Sequence, residues 1–172
     1  MKRNVISFLL ILLVACFSMT AVGNGDNPHP RPFKGSMSGD ATFDFTTGAC
    51  IDITGAPWQS IGYMAGNLTH LGKSEWFVSH CATPDGLQLV NGEGTLVAAN
   101  GDELWMTYTA ELISPFIVPG VMLYAQDNVV TGGTGRFEGA SGTFQTLIAV
   151  TIEDLTVLTT PASGEFAGTI TF

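Results

Sequence analysis

From Phe33 onward the chain alternates apolar and polar residues in short runs, and glycine-containing turns break the runs apart. Alternation with period two sets successive side chains on opposite faces of a strand. In "FKGSMSGDATFDF" it places Phe43 and Phe45 on one face and Asp44 on the other, and "ACIDITG" repeats the device with Ile51 and Ile53 against Asp52. These aspartates read as outward-facing residues rather than a catalytic pair. "IGYMAGNLTHLG" and "KSEWFVSHC" predict two further strands, and the following "TPDG" suits a type I turn through Pro84 and Gly86.

The next segment, "GLQLVNGEGTLVAANGDELWMTYTAELI", holds Asn100-Gly101 between two strand-like runs. That dipeptide predicts a hairpin with a type I′ turn, which needs positive φ at both central positions. Leu104, Tyr108 and Leu112 also have helical spacing, but Leu104, Met106, Tyr108, Ala110 and Leu112 keep strict alternation, and the Trp, Thr and Tyr content favours a strand. "SPFIVPG" then reads as a proline-bounded rim or lid presenting Phe116, Ile117 and Val118. "VMLYAQDNVV", a glycine-rich stretch, "GTFQTLIAVTI", "LTVLTT" and "GEFAGTITF" complete about eight to ten strands. No strands alternate with helices, so a parallel α/β sheet is excluded. A single closed antiparallel barrel is expected, with a two-sheet β-sandwich as the alternative. "FKGSMSG", "RFEGASG" and "EFAGTIT" each set a glycine two residues after a phenylalanine, as strands do where they bend or pass close to a neighbour.

The N-terminus is patterned differently. "MKRNVISFLLILLVACFSMTAVG", residues 1–23, has a basic start in Lys2 and Arg3, an apolar run and then small residues, the order of an export signal. Two processing routes remain open. Leu13-Val14-Ala15-Cys16 fits a bacterial lipobox, in which Cys16 is lipidated and anchors the protein; Ala21-Val22-Gly23 fits an ordinary signal peptidase. An uncleaved anchor is a third route. "NGDNPHPRP", residues 24–32, reads as a tether, leaving residues 33–172 as the folded domain. The expected location is therefore outside the cytoplasm: on the outer face of the envelope as a lipoprotein, or secreted or periplasmic. In such a space Cys50 and Cys81, the two cysteines left inside the domain, are expected to form a disulfide, the alternative being two separate buried thiols.

Composition narrows the partners. Of 172 residues 45% are hydrophobic and 12% charged, so burial can offset the entropy of ordering one domain. Beyond residue 3 only Arg31, Lys34, Lys73 and Arg136 are basic, against 15 acidic residues. Such a surface repels phosphate backbones and anionic headgroups, which argues against nucleic-acid binding and leaves a lipid anchor as the route to a membrane.

Few segments offer chemistry. "TGGTGRFEGASGTF", residues 131–144, lacks the Gly-Lys-Ser/Thr and helix of a phosphate loop, and Gly133-Thr134-Gly135 is followed by Arg136, Phe137 and Glu138 where a dinucleotide fingerprint needs its third glycine. The stretch reads as strand-and-turn punctuation through Gly132, Gly133 and Gly135, with Phe137 and Phe144 as core. His70, Glu75, His80 and Cys81 do not share a ligand spacing, so no metal is expected and the histidines read as surface or packed residues. There is no G-x-S-x-G elbow. No cofactor is implied, and no catalytic residue can be assigned.

"GGTGRFEGASG" resembles a motif shared by plant dirigent proteins and the allene oxide cyclase barrel group. "THLG" at 69–72, "AANGDEL" at 98–104 and the terminal "GTITF" resemble small exported bacterial proteins of the same barrel type. The resemblance implies an eight-stranded antiparallel barrel of calycin-like shape, whose interior either fills with side chains or holds one small apolar ligand. Members of that group steer the cyclisation or coupling of apolar intermediates in a shaped lumen. Leu104, Met106 and Tyr108, with Met122 and Tyr124, are the candidate lumen contacts, with plain core packing as the alternative. For Arg136 a salt bridge closing one barrel end is expected rather than substrate binding. The first functional expectation is a non-enzymatic barrel that binds a small hydrophobic molecule or serves the envelope structurally. The second is a cofactor-free cyclase, isomerase or dirigent-like template. A homo-oligomer or interaction module using "SPFIVPG" is a third.

Overall fold

A computed structural model describes residues 29–114, 120–152 and 158–172. The export signal with Cys16, the first part of the tether, Phe116, Ile117 and Val118, and the start of "LTVLTT" lie outside the described residues. Eight strands follow one another: β1 (Arg31–Asp44), β2 (Gln59–Leu68), β3 (Gly72–Ala82), β4 (Gln88–Val97), β5 (Glu103–Ser114), β6 (Val121–Gly133), β7 (Ser141–Thr151) and β8 (Thr159–Thr171). Each pairs antiparallel with the next, and β1 pairs with β8 through Arg31↔Ile170 to Thr42↔Thr159, so the sheet closes as a barrel rather than splitting into a sandwich. β1 already begins at Arg31, which brings Arg31 and Pro32 of the expected tether into the ladder.

The alternation read from the sequence decides which side of each strand faces inward. Along β5, Leu104, Met106, Tyr108 and Ala110 are buried while Trp105, Thr107 and Thr109 are exposed. Two members of the Phe-x-Gly echo have the expected cause. A Cβ on Gly35 would lie 2.1 Å from the Asn67 carbonyl oxygen, and one on Gly168 would lie 2.4 Å from Phe144 Cα, so each strand crosses its neighbour too closely for a side chain. Gly139 differs: it stands in open space at φ 73° and serves a turn.

The two barrel ends are built differently. At one end three short hairpin loops, at 69–71, 98–102 and 134–140, meet the start of β1 and the end of β8 over a packed interior. Phe33 lies 4.8 Å from Phe144 by ring centroids, and Trp76 lies 4.9 Å from Phe166. The glycine-rich stretch belongs to this closed end. A 3₁₀ turn at Gly135–Phe137 plugs Phe137 into the core, fully buried. Thr134 exchanges hydrogen bonds with Glu103, its N–H reaching the Glu103 carbonyl at 2.9 Å and its Oγ1 accepting from the Glu103 N–H at 2.9 Å. Arg136 Nε sits 3.6 Å from Asp102 Oδ2, the salt bridge expected at a barrel end. Exposed as it is, the pair adds at most about 1 kcal/mol. A Cβ on Gly135, where φ is 56°, would fall 2.0 Å from Asp102 Oδ1.

Two local expectations are corrected. "ACIDITG" is not a strand: Ile51–Thr54 form one helical turn, α1, with Ile51 and Ile53 both exposed. Gly48 at φ 66° and Gly55 at φ 78° bend the chain on either side, and Cys50 ties the segment to β3, so it cannot run extended. The Asn100-Gly101 hairpin joins β4 to β5 as expected, but Asn100 has no positive φ. The Ala98 N–H bonds to the Asp102 carbonyl and the Gly101 N–H bonds back to Ala98, with Gly101 alone at φ 87°. This is a three-residue loop closed by a left-handed glycine, which serves the strand twist as a type I′ turn does.

Candidate functional site

The opposite half of the barrel is hollow. Between the 45–58 segment, the 83–87 turn and the outer ends of β5, β6, β7 and β8 opens a cavity of about 260 Å³. Trp76 and Met64 reach its inner end, and Ala41, Val78, Ile148 and Ala162 lie along the wall. Phe43, Phe45, Trp58 and Leu158 also line it, with Phe43 and Phe45 stacked at 6.4 Å, and Phe45 and Leu158 about half exposed. The volume lies just below the roughly 300–1,000 Å³ of small-molecule pockets.

Of the five residues expected to contact a ligand, Tyr108, Met122 and Tyr124 line this cavity. Leu104 and Met106 do not line it. Leu104 is fully buried in the closed half and Met106 packs beside Gly94, so these two are core. Alternation gave the inward face correctly, but depth along the barrel axis is not encoded in it. His80, read as a surface or packed residue, instead lines the cavity. The signal was present: Trp76, Val78 and His80 share the inward face of β3 by the same alternation. His70 sits at the closed end, at φ 68°, with Nε2 3.0 Å from the Pro32 carbonyl. Glu75 accepts a hydrogen bond from the Tyr63 hydroxyl on the outer wall. Cys81 is bridged to Cys50, with Cα atoms 5.5 Å apart. The four residues weighed as a metal set thus stand in separate places.

The polar groups of the lumen come from several strands. His80 Nδ1 lies 2.8 Å from the Tyr108 hydroxyl, which also lies 3.3 Å from the Ser79 carbonyl. The Tyr124 hydroxyl donates to the Gly86 carbonyl at 3.0 Å, tying β6 to the 83–87 turn. Gln126 lines the cavity and donates through Nε2 to Asn128 Oδ1 at 2.7 Å; Asn128 in turn donates to the Phe144 carbonyl and to Thr146 Oγ1. Thr160 lines the same space, with its Oγ1 itself buried and without a hydrogen-bond partner among the described residues. An unpartnered buried hydroxyl of this kind carries a desolvation cost.

Burial sets the protonation states. It lowers His80 from the usual imidazole value to about 4, raises Tyr124 to about 12 and raises Tyr108 as well. At neutral pH all three are uncharged. No carboxylate, lysine or arginine lines the cavity among the described residues. The site can hold a neutral apolar body and direct a few hydrogen bonds at it.

Space for the Tyr108 ring is provided by Gly92 on β4, where a Cβ would stand 2.4 Å from ring carbons. Gly92→Ala is expected to cost about 2–3 kcal/mol, the scale of overpacking a core, and to displace Tyr108 from His80. Urea unfolding read against wild type checks the cost. A variant as stable as wild type would show that the ring is not seated there.

Fold and site together define a small up-and-down antiparallel barrel, packed in one half and holding an apolar cavity in the other. No family model matches the chain, and no curated protein matches it by sequence. Among solved structures it is similar to a pterocarpan synthase dirigent protein, at 10% identity over 84% of this chain and 87% of that one, with a TM-score of 0.46. The barrel assignment rests on the chain's own closed strand ladder.

Proposed function

We propose that the protein is an exported barrel that binds one small, neutral, hydrophobic molecule in the cavity of its hollow half without chemical change. The observation that carries this reading is the half-empty lumen: an apolar cavity of about 260 Å³ in a barrel whose other half is filled to the core. Filling it would not have been difficult, since Ala41 and Ala162 line the wall and larger side chains at those positions would occupy the space. The Cys50–Cys81 bridge supports an oxidising compartment, and export through residues 1–23 belongs to the same reading. Exposed Ile61, Tyr63 and Phe77 on the outer wall support self-association.

The neutral fluorescent probe N-phenyl-1-naphthylamine tests it. Wild type is expected to bind the probe, and Ala162→Phe, which projects a ring into the lumen, is expected to weaken binding on the order of tenfold or more with the barrel still folded. Equal binding by both proteins would move the probe site out of the lumen and defeat the proposal.

A template or isomerase role, as the dirigent and allene oxide cyclase resemblance implies, is the second reading. The His80–Tyr108 pair inside the lumen favours it, since a neutral imidazole beside a phenol can hold or pass a proton. Recovery of the natural ligand unchanged after incubation separates binding from turnover.

A further inference from the structure

His80 stands where the lumen meets a fixed hydrogen-bond chain. The Tyr108 oxygen is 2.8 Å from His80 Nδ1 and 3.3 Å from the Ser79 carbonyl. A carbonyl only accepts, so the Ser79 contact is a hydrogen bond when the phenol proton points at it. Tyr108 then accepts from His80, which places the imidazole proton on Nδ1. Both contacts are satisfied in this arrangement alone, because reversing the His80–Tyr108 bond leaves the Ser79 carbonyl facing an oxygen lone pair. The hydrogen bond made by one ring nitrogen thereby decides what the other can do.

The other nitrogen, Nε2, has no hydrogen-bond partner among the described residues. Among the described residues the buried unpartnered side-chain atoms are Trp76 Nε1 and Thr160 Oγ1, and His80 Nε2 is not one of them. With the proton on Nδ1, Nε2 keeps its lone pair on a ring that lines the lumen. We propose that His80 Nε2 is the specificity determinant of the lumen, accepting a hydrogen bond from the alcohol hydroxyl of an otherwise apolar ligand, with Tyr108 as the positioning residue that fixes the tautomer. The imidazole keeps its lone pair at neutral pH because burial holds its pKa down at about 4. The inference rests on the lumen-binding reading above and adds the chemical class of the ligand. An unpaired acceptor in an apolar wall favours a molecule that brings a donor and discriminates against one that brings none or brings a second acceptor.

Three probes of one shape test it by calorimetric titration: 1-naphthalenemethanol, 1-methylnaphthalene and 1-naphthaldehyde. Wild type is expected to bind the alcohol about five- to tenfold more tightly than either other probe. His80→Leu should lose the preference for the alcohol over the methyl compound. In Tyr108→Phe the tautomer is no longer fixed, so the preference shrinks and the aldehyde gains relative to the alcohol. A merely structural role for Tyr108 would weaken all three probes alike. Should wild type bind all three equally, the lumen reading stands and the His80 assignment falls; an equal or stronger grip on the aldehyde overturns the assigned tautomer in the same way. Binding of none of them overturns both readings.

Discussion

Replacing Cys50 and Cys81 by alanine together is expected to lower the unfolding free energy by about 3–4 kcal/mol, the chain-entropy value for a loop of this length. The bridge spans a sequence separation of 31 and pins the segment between β1 and β2 to the outer end of β3. That segment has little else to hold it. Of residues 45–58 only Cys50 and Ala56 are buried, and Ile51 and Ile53 point into solvent. The same segment carries Phe45 and Trp58, so losing the bridge should also loosen the cavity mouth. For a domain of this size the change corresponds to a fall in Tm of roughly 10 °C. Urea unfolding of wild type with and without reductant, beside the double variant, measures it. Matching midpoints for oxidised and reduced protein would show that the bridge contributes nothing.

Acid is expected to destabilise the protein in a window set by His80. Its folded pKa is depressed to about 4, against 6.5 for a free imidazole. On lowering the pH the unfolded chain therefore takes up the proton first. The stability contributed by the neutral imidazole is complete above about pH 6.5, drains away between 6.5 and 4, and from this group is flat below. The full shift would correspond to about 3 kcal/mol; because one face of the ring borders the lumen, about 2–3 kcal/mol is the expected loss. The titratable groups facing it are Tyr108 from β5 and Tyr124 from β6, both raised, so neither ionises in that window. Asp44, held below its usual range chiefly by the Thr46 backbone N–H, and Asp85, held down chiefly by the Thr83 hydroxyl, lose their contribution only below 3.8. Denaturant midpoints from pH 7.5 to 4.5 should fall steeply for wild type and stay nearly level for His80→Leu. Parallel curves would remove His80 as the cause.

How much of this was legible in the chain differs by feature. The inward face was readable wherever alternation was unbroken: along β5 from Leu104 to Ala110, and along β3 from Trp76 to His80. It failed at "ACIDITG", where Ile51 and Ile53 keep the strand pattern but flanking left-handed glycines and the disulfide turn the chain into α1. Turn position was readable at Asn100-Gly101 while turn type was not, because the loop length depends on where the partner strand resumes. The candidate lumen set is split by depth along the barrel, since Leu104 and Tyr108 carry the same signal yet lie in the filled and hollow halves.

By itself the sequence determined the all-β class, the inward-facing residues of most strands, the apolar character of the interior and the punctuating role of "TGGTGRFEGASGTF". These are local properties, set by backbone sterics and by the two-residue period of a strand. The tertiary structure decided that the sheet closes on itself through β1 and β8, that an apolar cavity lies among the described residues of one half, and that His80 meets Tyr108 from a separate strand. Those outcomes depend on register and on how far each strand runs around the barrel. They exist only once residues far apart in the chain are brought to one axis.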